Sequence, residues 1–388
     1  MKKENNKKRI LVLNYEFPPL GGGGGVASYK LAKGFIGNGY EVDYLTSWFK
    51  GLKKFEIING INVYRVKVFG RKKLETATMV SMLSYPFCAF AKGFFLCLRN
   101  KYDFINTQFV IPTGPLGFIL SKIFRIKNIL SLHGGDVYNP TTKNSPHKNF
   151  ILKVVVKFLL NRVNFIIAQS SNTKNNAIKY YNPKKEIKII PLPYEFFDFK
   201  KVSRKELNMK ENKKYIIGAG RLIKRKGFEY FIKALALLDN NVNGIIIGNG
   251  PEKENLLKLA RELKIENRLC LTGLVSEEKK FQYLCNSDIF VLSSIHEGFG
   301  IVIQEAMQVG LPVVATNNGG QVDLIRDGEN GLLIDPKNFK KITEKVKKLL
   351  SNHKLKEKIS KQNLSDINNF NLNNITEQYL NLLKINES

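Results

Sequence analysis

The chain has 388 residues, enough for two domains with separate hydrophobic cores. Its hydrophobic content of 43% and aromatic content of 11% are those of an ordinary globular protein. Its four cysteines form no CxxC pair and, with four histidines, give no zinc-binding spacing, which indicates buried thiols in a reducing compartment. The apolar run after the basic start is too short for a secretory signal, so we expect a cytoplasmic protein.

The net charge of +29 is unevenly distributed along the chain. Residues 1–197 hold 31 Lys and Arg against 10 Asp and Glu, whereas residues 198–388 hold 31 against 23. A translation bias toward lysine would affect both halves alike. The asymmetry therefore indicates that the first half meets a polyanion, either nucleic acid or an anionic membrane face.

Short apolar runs alternate with longer helical segments in the first half of the chain. A buried strand over 9–14 is followed by the glycine run 21–25 and by a helix over about 27–37. Further strands are predicted over 40–46, 104–107, 129–133 and 165–169. Strands separated by helices imply a parallel sheet with helices on both faces.

Residues 79–98 are almost wholly apolar and long enough to cross a membrane. Pro86, Lys92 and Gly93 interrupt the run, and a span inside the first α/β half would split its sheet. A helix that lies on a membrane or faces a substrate, or an ordinary core helix, is therefore favoured over a true span.

The same pattern restarts near residue 214, after a polar, lysine-rich stretch over 199–213 that we interpret as a linker. Strands are predicted over 214–220, 244–248, 269–273, 289–292 and 312–316. We therefore expect two α/β domains, residues 1–198 and 199–367, with a C-terminal helix over about 368–388 that packs back on the first. Two such halves would enclose a cleft at the carboxyl ends of both sheets.

Two carboxylates, Glu297 and Glu305, stand eight residues apart after an apolar strand. Glu297 lies in a glycine-rich turn, and Glu305 is expected about two turns into the helix that follows. Between them, the backbone amides of Gly298, Phe299 and Gly300 would attract an anion such as phosphate. Because carboxylates accept hydrogen bonds from hydroxyl groups, the combination suits a ligand that is part sugar and part phosphate.

A basic loop opens the second half at Gly218-Ala-Gly-Arg-Leu-Ile-Lys-Arg-Lys. Its glycines are weak evidence for a dinucleotide site, because Ile223 stands where that fingerprint has a third glycine. Arg221 and Lys226 are the residue types that bind diphosphate oxygens. An isolated basic loop is usually only solvated, but this one lies at the sheet edge where ligands bind. The turns that contain Gly250 and Val275 lie at the same edge, where a nucleotide base and ribose would fit.

In the first half, the glycine run follows the first strand and lets the backbone approach a phosphate closely. His133, followed by Gly134, Gly135 and Asp136, lies at another strand end. A lone histidine is more often structural, but this setting favours a site. No D-x-D occurs in the chain, which weakens any scheme in which a divalent ion bridges a diphosphate to paired aspartates.

Taken together, these motifs resemble the GT-B glycosyltransferases, specifically the large retaining group called family four. The resemblance covers nearly the whole chain and is most specific at Glu297-Gly-Phe-Gly-x4-Glu305. The other matching motifs are Pro18-Pro19 with the glycine run, Gly39-Tyr-Glu-Val, His133-Gly-Gly-Asp136, Gly220-Arg221-Leu with Lys226-Gly227, Gly248-x-Gly-Pro, Gly310-x-Pro-Val-Val-Ala and Gly319-Gly320. The chain departs from the usual pattern at 319–323, where many relatives have Pro-Glu.

The resemblance implies a GT-B fold of two Rossmann-like, doubly wound domains facing across a cleft. It implies that Arg221 and Lys226 grip the diphosphate of a nucleotide-sugar donor and that Glu305 binds the ribose. Glu297 would bind the transferred sugar beside the amides of Phe299 and Gly300. The amides of Gly23 or Gly24 would close over the diphosphate, and His133 would contact the sugar near its reacting carbon.

The resemblance also implies retention of the anomeric configuration, with the leaving phosphate taking the proton of the attacking hydroxyl. We expect a hexose-type sugar from a donor such as a UDP- or GDP-sugar, with no metal and no other cofactor. The basic first half and residues 79–98 favour a lipid-linked or glycan acceptor of cell-surface biosynthesis. They also favour peripheral binding to an anionic membrane surface rather than to nucleic acid.

Three other interpretations remain open from the sequence. A sugar-nucleotide epimerase or glycan phosphorylase would share the fold. A nucleic-acid-binding protein is suggested by charge alone, lacks an aromatic-basic stacking motif and leaves the Glu pair unexplained. A dinucleotide oxidoreductase is disfavoured by the incomplete glycine fingerprint and by basic residues where an acidic ribose ligand is expected.

Overall fold

The computed structural model describes residues 8–74, 77–142 and 145–384. The chain forms two compact units, one from the described parts of Met1–Glu195 and Phe370–Ser388 and the other from Phe196–Asn369. Each unit is a mainly parallel sheet covered by helices. The predicted two-domain α/β architecture is therefore confirmed.

The first unit contains an eight-stranded sheet in the order β3-β4-β2-β1-β5-β6-β7-β8. Its strands are β1 Arg9–Leu13, β2 Glu41–Ser47, β3 Phe55–Ile58, β4 Ile61–Val66, β5 Phe104–Gln108, β6 Lys127–Leu132, β7 Phe165–Ala168 and β8 Ile187–Ile189. Its first five helices are α1 Gly23–Gly37, α2 Met79–Arg99, α3 Gly114–Phe124, α4 Phe150–Arg162 and α5 Ser171–Tyr181. All neighbouring strands are parallel except the β3–β4 pair.

The two faces of this sheet are covered by different helices. On one face, Leu31 and Phe35 of α1 pack with Tyr379 of the C-terminal helix, which spans Leu372–Lys384, over β1 and β5. The other face is covered by α2, α3 and α4, which pack side by side. The C-terminal helix approaches α1 closely at Gly34. A Cβ atom there would lie 2.0 Å from Thr376 Oγ1, so glycine permits this approach.

One local prediction for the first unit is wrong, and one local element was not predicted. The helix predicted over about 27–37 begins four residues earlier, at Gly23, so that Gly23 and Gly24 belong to its first turn. The antiparallel β3–β4 hairpin was not predicted, because its alternating burial leaves only weak apolar runs in the sequence. It adds an antiparallel edge to the sheet.

Residues 79–98 lie in α2, which has the length and composition of a membrane-spanning helix. One side of α2 packs in the core of the first unit, where the Tyr85 hydroxyl donates to the Leu45 carbonyl at 2.7 Å. The other side of the helix is exposed, with Phe87 83% accessible. This amphipathic packing matches a helix that covers the sheet with one side and presents apolar side chains on the other.

The second unit contains a six-stranded parallel sheet in the order β11-β10-β9-β12-β13-β14. Its strands are β9 Lys214–Ala219, β10 Val242–Ile247, β11 Leu269–Gly273, β12 Ile289–Leu292, β13 Val313–Thr316 and β14 Leu332–Ile334. Its helices are α6 Phe228–Ala236, α7 Lys253–Glu262, α8 Glu277–Cys285, α9 Ile301–Gln308, α10 Phe339–Ser351 and α11 His353–Asp366, and the C-terminal helix of the first unit is α12.

The stretch over 199–213, interpreted from sequence as a linker, is part of the second unit. Arg204 ties it down by donating to the Lys213 carbonyl at 2.9 Å and by an ion pair with Asp288 at 3.3 Å. The chain returns to the first unit after residue 369, where the Tyr194 amide donates to the Phe370 carbonyl at 2.7 Å. The boundaries between the units fall at 195/196 and 369/370, whereas the sequence analysis placed them at 198/199 and 367/368.

Candidate active site

Two loops of the second unit meet at the carboxyl ends of β9 and β12. The first loop ends at Gly227, which adopts a left-handed conformation with a φ of 62°. A Cβ atom there would lie 2.2 Å from the Ser293 carbonyl oxygen at the end of β12. Glycine therefore allows the basic loop to pack directly against the segment that carries Glu297.

Glu297 lies at the centre of this contact and is only 8% exposed. Its carboxylate accepts hydrogen bonds from Lys226 Nζ at 2.5 Å, Arg225 Nη1 at 3.3 Å and Ser294 Oγ at 3.3 Å. Arg225 Nη1 also donates to the His296 carbonyl at 2.7 Å, which fixes the guanidinium beside the carboxylate. The basic loop and the Glu297 loop are thus joined by a buried ion-pair network.

The charged groups of this network shift one another's pKa values. Burial raises the pKa of Glu297, but Lys226 and Arg225 outweigh it and lower that pKa to about 2. Burial lowers the pKa of Lys226, Glu297 raises it, and the nearby Arg225 and Arg221 lower it further. Glu297 is therefore firmly ionised at neutral pH. Lys226 lies in a cationic cluster that a diphosphate would stabilise.

A glycine pair fixes the backbone of the Glu297 loop from the opposite side. Gly319 forms a parallel bridge with Glu297, and the Gly320 amide donates to the Glu297 carbonyl at 2.8 Å. A Cβ atom at Gly320 would lie 2.0 Å from the Gly298 carbonyl oxygen. The buried Gln321 closes this turn by donating to the carbonyls of Thr316 and Asn318. Gln321 therefore has a structural role in this turn, and Asp323 is exposed.

Glu305 is paired with Lys280, which the sequence did not single out. Lys280 Nζ on α8 donates to Glu305 Oε1 at 2.7 Å and to Glu277 at 3.0 Å. Burial lowers the pKa of Lys280, and the two carboxylates outweigh it and raise that pKa. The predicted position of Glu305 two turns into a helix is wrong, because α9 begins only at Ile301 and Glu305 is its fifth residue. The N-cap is Gly300, with a φ of 109°.

The other predicted donor-binding residues line the same sheet edge. Arg221 is exposed and follows β9. Gly250 packs on this loop, since a Cβ atom there would lie 2.3 Å from the Leu222 carbonyl oxygen. Val275 is half-buried in the segment between β11 and α8. In the second unit, the predicted residues thus cluster at the carboxyl ends of β9, β10, β11 and β12.

In the first unit, His133 follows β6 and is buried. Its Nε2 lies 2.7 Å from Gln108 Oε1, and its ring stacks on Phe109 with centroids 4.1 Å apart. Asp136 accepts from the His133 amide at 2.9 Å and from the Val110 amide at 2.7 Å. Burial lowers the pKa of His133 to about 3 and raises that of Asp136 to about 6. His133 is therefore neutral at physiological pH.

The glycine run is connected to His133 through Phe109. A Cβ atom at Gly24 would lie 2.4 Å from Phe109 Cζ, so only glycine lets this turn pack on the ring. Phe109 has a φ of 70°, which is strained for a bulky side chain and indicates a constrained position. Gly23 and Gly24 lie in the first turn of α1, where helix amides have no intrahelical partner. Gln108 and Phe109 were missed, although Gln108 ends β5 and Phe109 directly follows it at the expected sheet edge.

No cluster of three or more His, Cys, Asp or Glu side chains that would hold a metal ion occurs within residues 8–74, 77–142 and 145–384. In the second unit, the carboxylates Glu297 and Glu305 at the sheet edge are instead paired with Lys and Arg. Such a set can bind hydroxyl groups through Glu297 and Glu305 and phosphate through its cations.

Comparison with known proteins agrees with this arrangement. Residues 199–365 match the family described as Glycosyl transferases group 1, and residues 21–195 match Glycosyltransferase Family 4. The chain is 28% identical over 396 residues to the uncharacterized glycosyltransferase MJ1607 of Methanocaldococcus jannaschii, covering 97% of this chain and 98% of that protein.

One further similarity is in sequence and another is in structure. The chain is 26% identical over 280 residues to the N-acetylgalactosamine-N,N'-diacetylbacillosaminyl-diphospho-undecaprenol 4-alpha-N-acetylgalactosaminyltransferase of Campylobacter jejuni, covering 70% of this chain and 75% of that protein. The crystal structure of Anabaena HepE in complex with UDP-glucose superposes with a TM-score of 0.77 at 22% identity, covering 97% and 99% of the two chains. This structural similarity shows the shared fold.

The chain therefore belongs to the family-four glycosyltransferases with the GT-B fold. The resemblance inferred from its motifs is confirmed, and the protein is a glycosyltransferase.

Proposed function

We propose that the protein is a retaining, metal-independent hexosyltransferase of cell-surface glycan biosynthesis. It moves a sugar from a nucleotide-sugar donor, such as a UDP- or GDP-sugar, to a lipid-linked or polysaccharide acceptor. The main support is the buried network in which Lys226 and Arg225 hold the Glu297 carboxylate. The network places a hydroxyl-binding group directly beside phosphate-binding groups, as the two parts of a nucleotide sugar require.

In this proposal the second unit binds the donor. Arg221 and Lys226 bind the diphosphate, together with the backbone of Gly298–Gly300 at the start of α9. Glu297 binds hydroxyl groups of the transferred sugar, and Glu305 binds the ribose. Gly250 and Val275 border the nucleotide base. As the bond to the leaving diphosphate breaks, negative charge develops on the phosphate oxygen, and Lys226 stabilises it.

The first unit supplies groups that position the sugar and the phosphate. Gln108 Oε1 can only accept, so the neutral His133 donates from Nε2 and keeps Nδ1 as an acceptor. We propose that His133 uses this acceptor for a sugar hydroxyl near the reacting carbon. The amides of Gly23 and Gly24 bind the diphosphate from the first turn of α1.

The reaction proceeds with retention of the anomeric configuration. The bond between the anomeric carbon and the diphosphate oxygen breaks, and the acceptor oxygen bonds to that carbon on the same face. The proton of the acceptor hydroxyl moves to the departing phosphate oxygen. No side-chain base is required in this scheme, and Glu297, fully ionised in its ion pairs, serves to bind the sugar.

We assign a lipid-linked acceptor in preference to a soluble one. The Campylobacter relative acts, by its name, on a diphospho-undecaprenol substrate. The basic charge of residues 1–197 would hold the protein peripherally on the anionic cytoplasmic face of a membrane. Both observations support this acceptor.

The proposal is tested by donor binding and by product analysis. Thermal unfolding is measured with UDP, GDP, ADP and their sugars, each with and without EDTA, because a true donor raises the melting temperature through RT ln(1+[L]/Kd). The selected donor is then incubated with lipid-diphosphate acceptors, and the anomeric configuration of the product is read by NMR. Retention without added metal is expected. An inverted product or an EDTA-sensitive reaction would contradict the mechanism, and epimerised free donor would indicate an epimerase.

A further inference from the structure

Three adjacent helices of the first unit form a continuous apolar outer surface. Phe94 of α2 contacts Phe124 of α3 at 5.1 Å between centroids, and Phe118 of α3 contacts Phe158 of α4 at 5.2 Å. Exposed large apolar side chains project from all three helices. They include Val80, Leu83, Phe87, Phe95 and Leu98 on α2, Ile119 and Ile123 on α3, and Phe150, Ile151, Val154 and Phe158 on α4. We call these helices and side chains the α2–α4 surface.

The exposure on this surface is unusually high for aromatic and branched residues. Phe87 is 83% accessible, Phe150 is 80% accessible and Ile151 is 71% accessible. Single exposed apolar residues are common in monomeric proteins, but contiguous groups mark an interaction site. The surface therefore requires an apolar partner.

The charge of the surface identifies the kind of partner. The sequences of α2, α3 and α4 contain no Asp or Glu, whereas they contain Lys92, Arg99, Lys122, Lys153, Lys157 and Arg162. Over the longer stretch 77–185, Asp103 and Asp136 are the only acidic residues. Asp136 is buried against backbone amides, and Asp103 accepts from the Arg9 amide. The partner must therefore be negatively charged as well as apolar.

We propose that the α2–α4 surface docks on an anionic lipid bilayer, with the exposed aromatic side chains inserted at the headgroup level. Lys and Arg between these side chains would contact the lipid phosphates. A second copy of the chain fits less well, because two copies of this surface would bring like charges together. The inference rests on the proposed function only in that a lipid-linked acceptor requires such a membrane.

The packing of α2 also excludes insertion of that helix across the bilayer. Its inner side belongs to the core, with the buried Tyr85 bonded to Leu45 and Gly93 fitted against Leu120. Extracting the helix would expose this core and the apolar strands beneath it. The protein therefore lies on the membrane with α2–α4 parallel to its plane.

The test is sedimentation of the full chain with vesicles of phosphatidylcholine alone or with added phosphatidylglycerol. The wild type is expected to bind the anionic vesicles and to be released by salt. Lys153→Glu with Lys157→Glu should weaken partitioning at least thirtyfold, since each lost surface lysine removes about 1 kcal/mol and the new carboxylates are repelled by anionic lipid. Phe87→Ser with Phe150→Ser should also abolish binding. Matched controls in the second unit are Lys348→Glu with Lys354→Glu, and Leu237→Ser.

Several results would overturn the proposal. They are equal binding to neutral and anionic vesicles, retention of binding by the surface variants, or loss of binding in the controls. A concentration-dependent dimer that the Phe87 and Phe150 changes disrupt would assign the surface to a second copy. Donor binding by the same variants, measured by thermal shift, separates the two proposals. If the wild type binds vesicles but no nucleotide sugar, the proposed function fails and the surface assignment stands.

Discussion

The clearest test of the site is removal of Lys226, because that side chain connects stability with catalysis. Lys226 Nζ lies 2.5 Å from the Glu297 carboxylate, which is 8% exposed. Together with Arg225 it outweighs burial and lowers the pKa of Glu297 from 4.5 to about 2, a difference worth about 3 kcal/mol in favour of the ionised form. Lys226→Met would remove the nearer of these two cations.

We expect the Lys226→Met variant to lose both stability and turnover. Breaking a buried ion pair costs about 3–5 kcal/mol, and because Arg225 remains 3.3 Å away we expect a loss of about 2–3 kcal/mol at pH 7. Loss of a charge-stabilising group at the reacting phosphate costs about 3–4 kcal/mol of barrier, so kcat should fall at least a hundredfold. Urea unfolding and steady-state kinetics with the selected donor measure the two effects. Lys224→Met, an exposed lysine in the same loop, is the control.

The pH dependence and a double variant separate the two roles. A carboxylate with a lowered folded-state pKa stabilises the protein fully above its unfolded pKa of 4.5, and this stabilisation is lost as the pH falls toward 2. In Lys226→Met the folded-state pKa of Glu297 should move up toward 4.5, because burial is less opposed, so the acid-dependent loss of stability should be smaller and should end at a higher pH. Lys226→Met with Glu297→Gln removes both charges and should recover most of the stability but none of the activity. Near-normal kcat in Lys226→Met would refute the assignment of Lys226 to the diphosphate.

Three further changes test the parts of the structure that hold the site. Lys280→Met should raise the KM for the donor more than tenfold with a smaller effect on kcat, because it removes the 2.7 Å partner of Glu305. In the wild type, a donor with 2′-deoxyribose should have a higher KM than the ribose donor, because it lacks a hydroxyl group for Glu305. This difference in KM between the two donors should disappear in the variant. Asp136→Asn replaces one of two acceptor oxygens that bind backbone amides, so urea unfolding should show a loss of about 1–3 kcal/mol and unchanged stability would contradict these bonds. Gly320→Ala would place a Cβ atom 2.0 Å from the Gly298 carbonyl, and a thermal-shift titration should show weakened donor binding.

The sequence predicted the architecture well because both units repeat one pattern. Buried strands such as β1, β9 and β12 are short apolar runs followed by glycine-rich turns, and this signal survives without knowledge of packing. Features that depend on pairing with a neighbouring strand could not be predicted from the sequence. The β3–β4 hairpin buries alternate residues of β4 and leaves β3 half-exposed at the sheet edge, so neither strand has a strong run.

The candidate site was predicted in its charges but not in its pairings. Glu297, Lys226 and Arg221 were identified because they follow strands whose carboxyl ends share one edge. Lys280 was missed because α8 reads Glu-Glu-Lys-Lys at its start, and the sequence does not reveal which lysine faces Glu305. Phe109 was missed because nothing in the sequence marks its positive φ or its stacking on His133.

These pairings give the site a property that its composition alone does not have. Glu297 is already paired with Lys226 and Arg225, and Glu305 is already paired with Lys280. In the proposed function, a nucleoside diphosphate alone must displace Glu297 from Lys226, and it has no transferred sugar whose hydroxyl groups could replace that contact of the buried carboxylate. An intact nucleotide sugar offers phosphate to the lysine and hydroxyl groups to the carboxylate together, so that each broken contact is replaced. The ion-pair network would therefore favour binding of the nucleotide-sugar donor over binding of the nucleotide product. Glu297→Gln removes the network and should reduce the ratio of these two affinities.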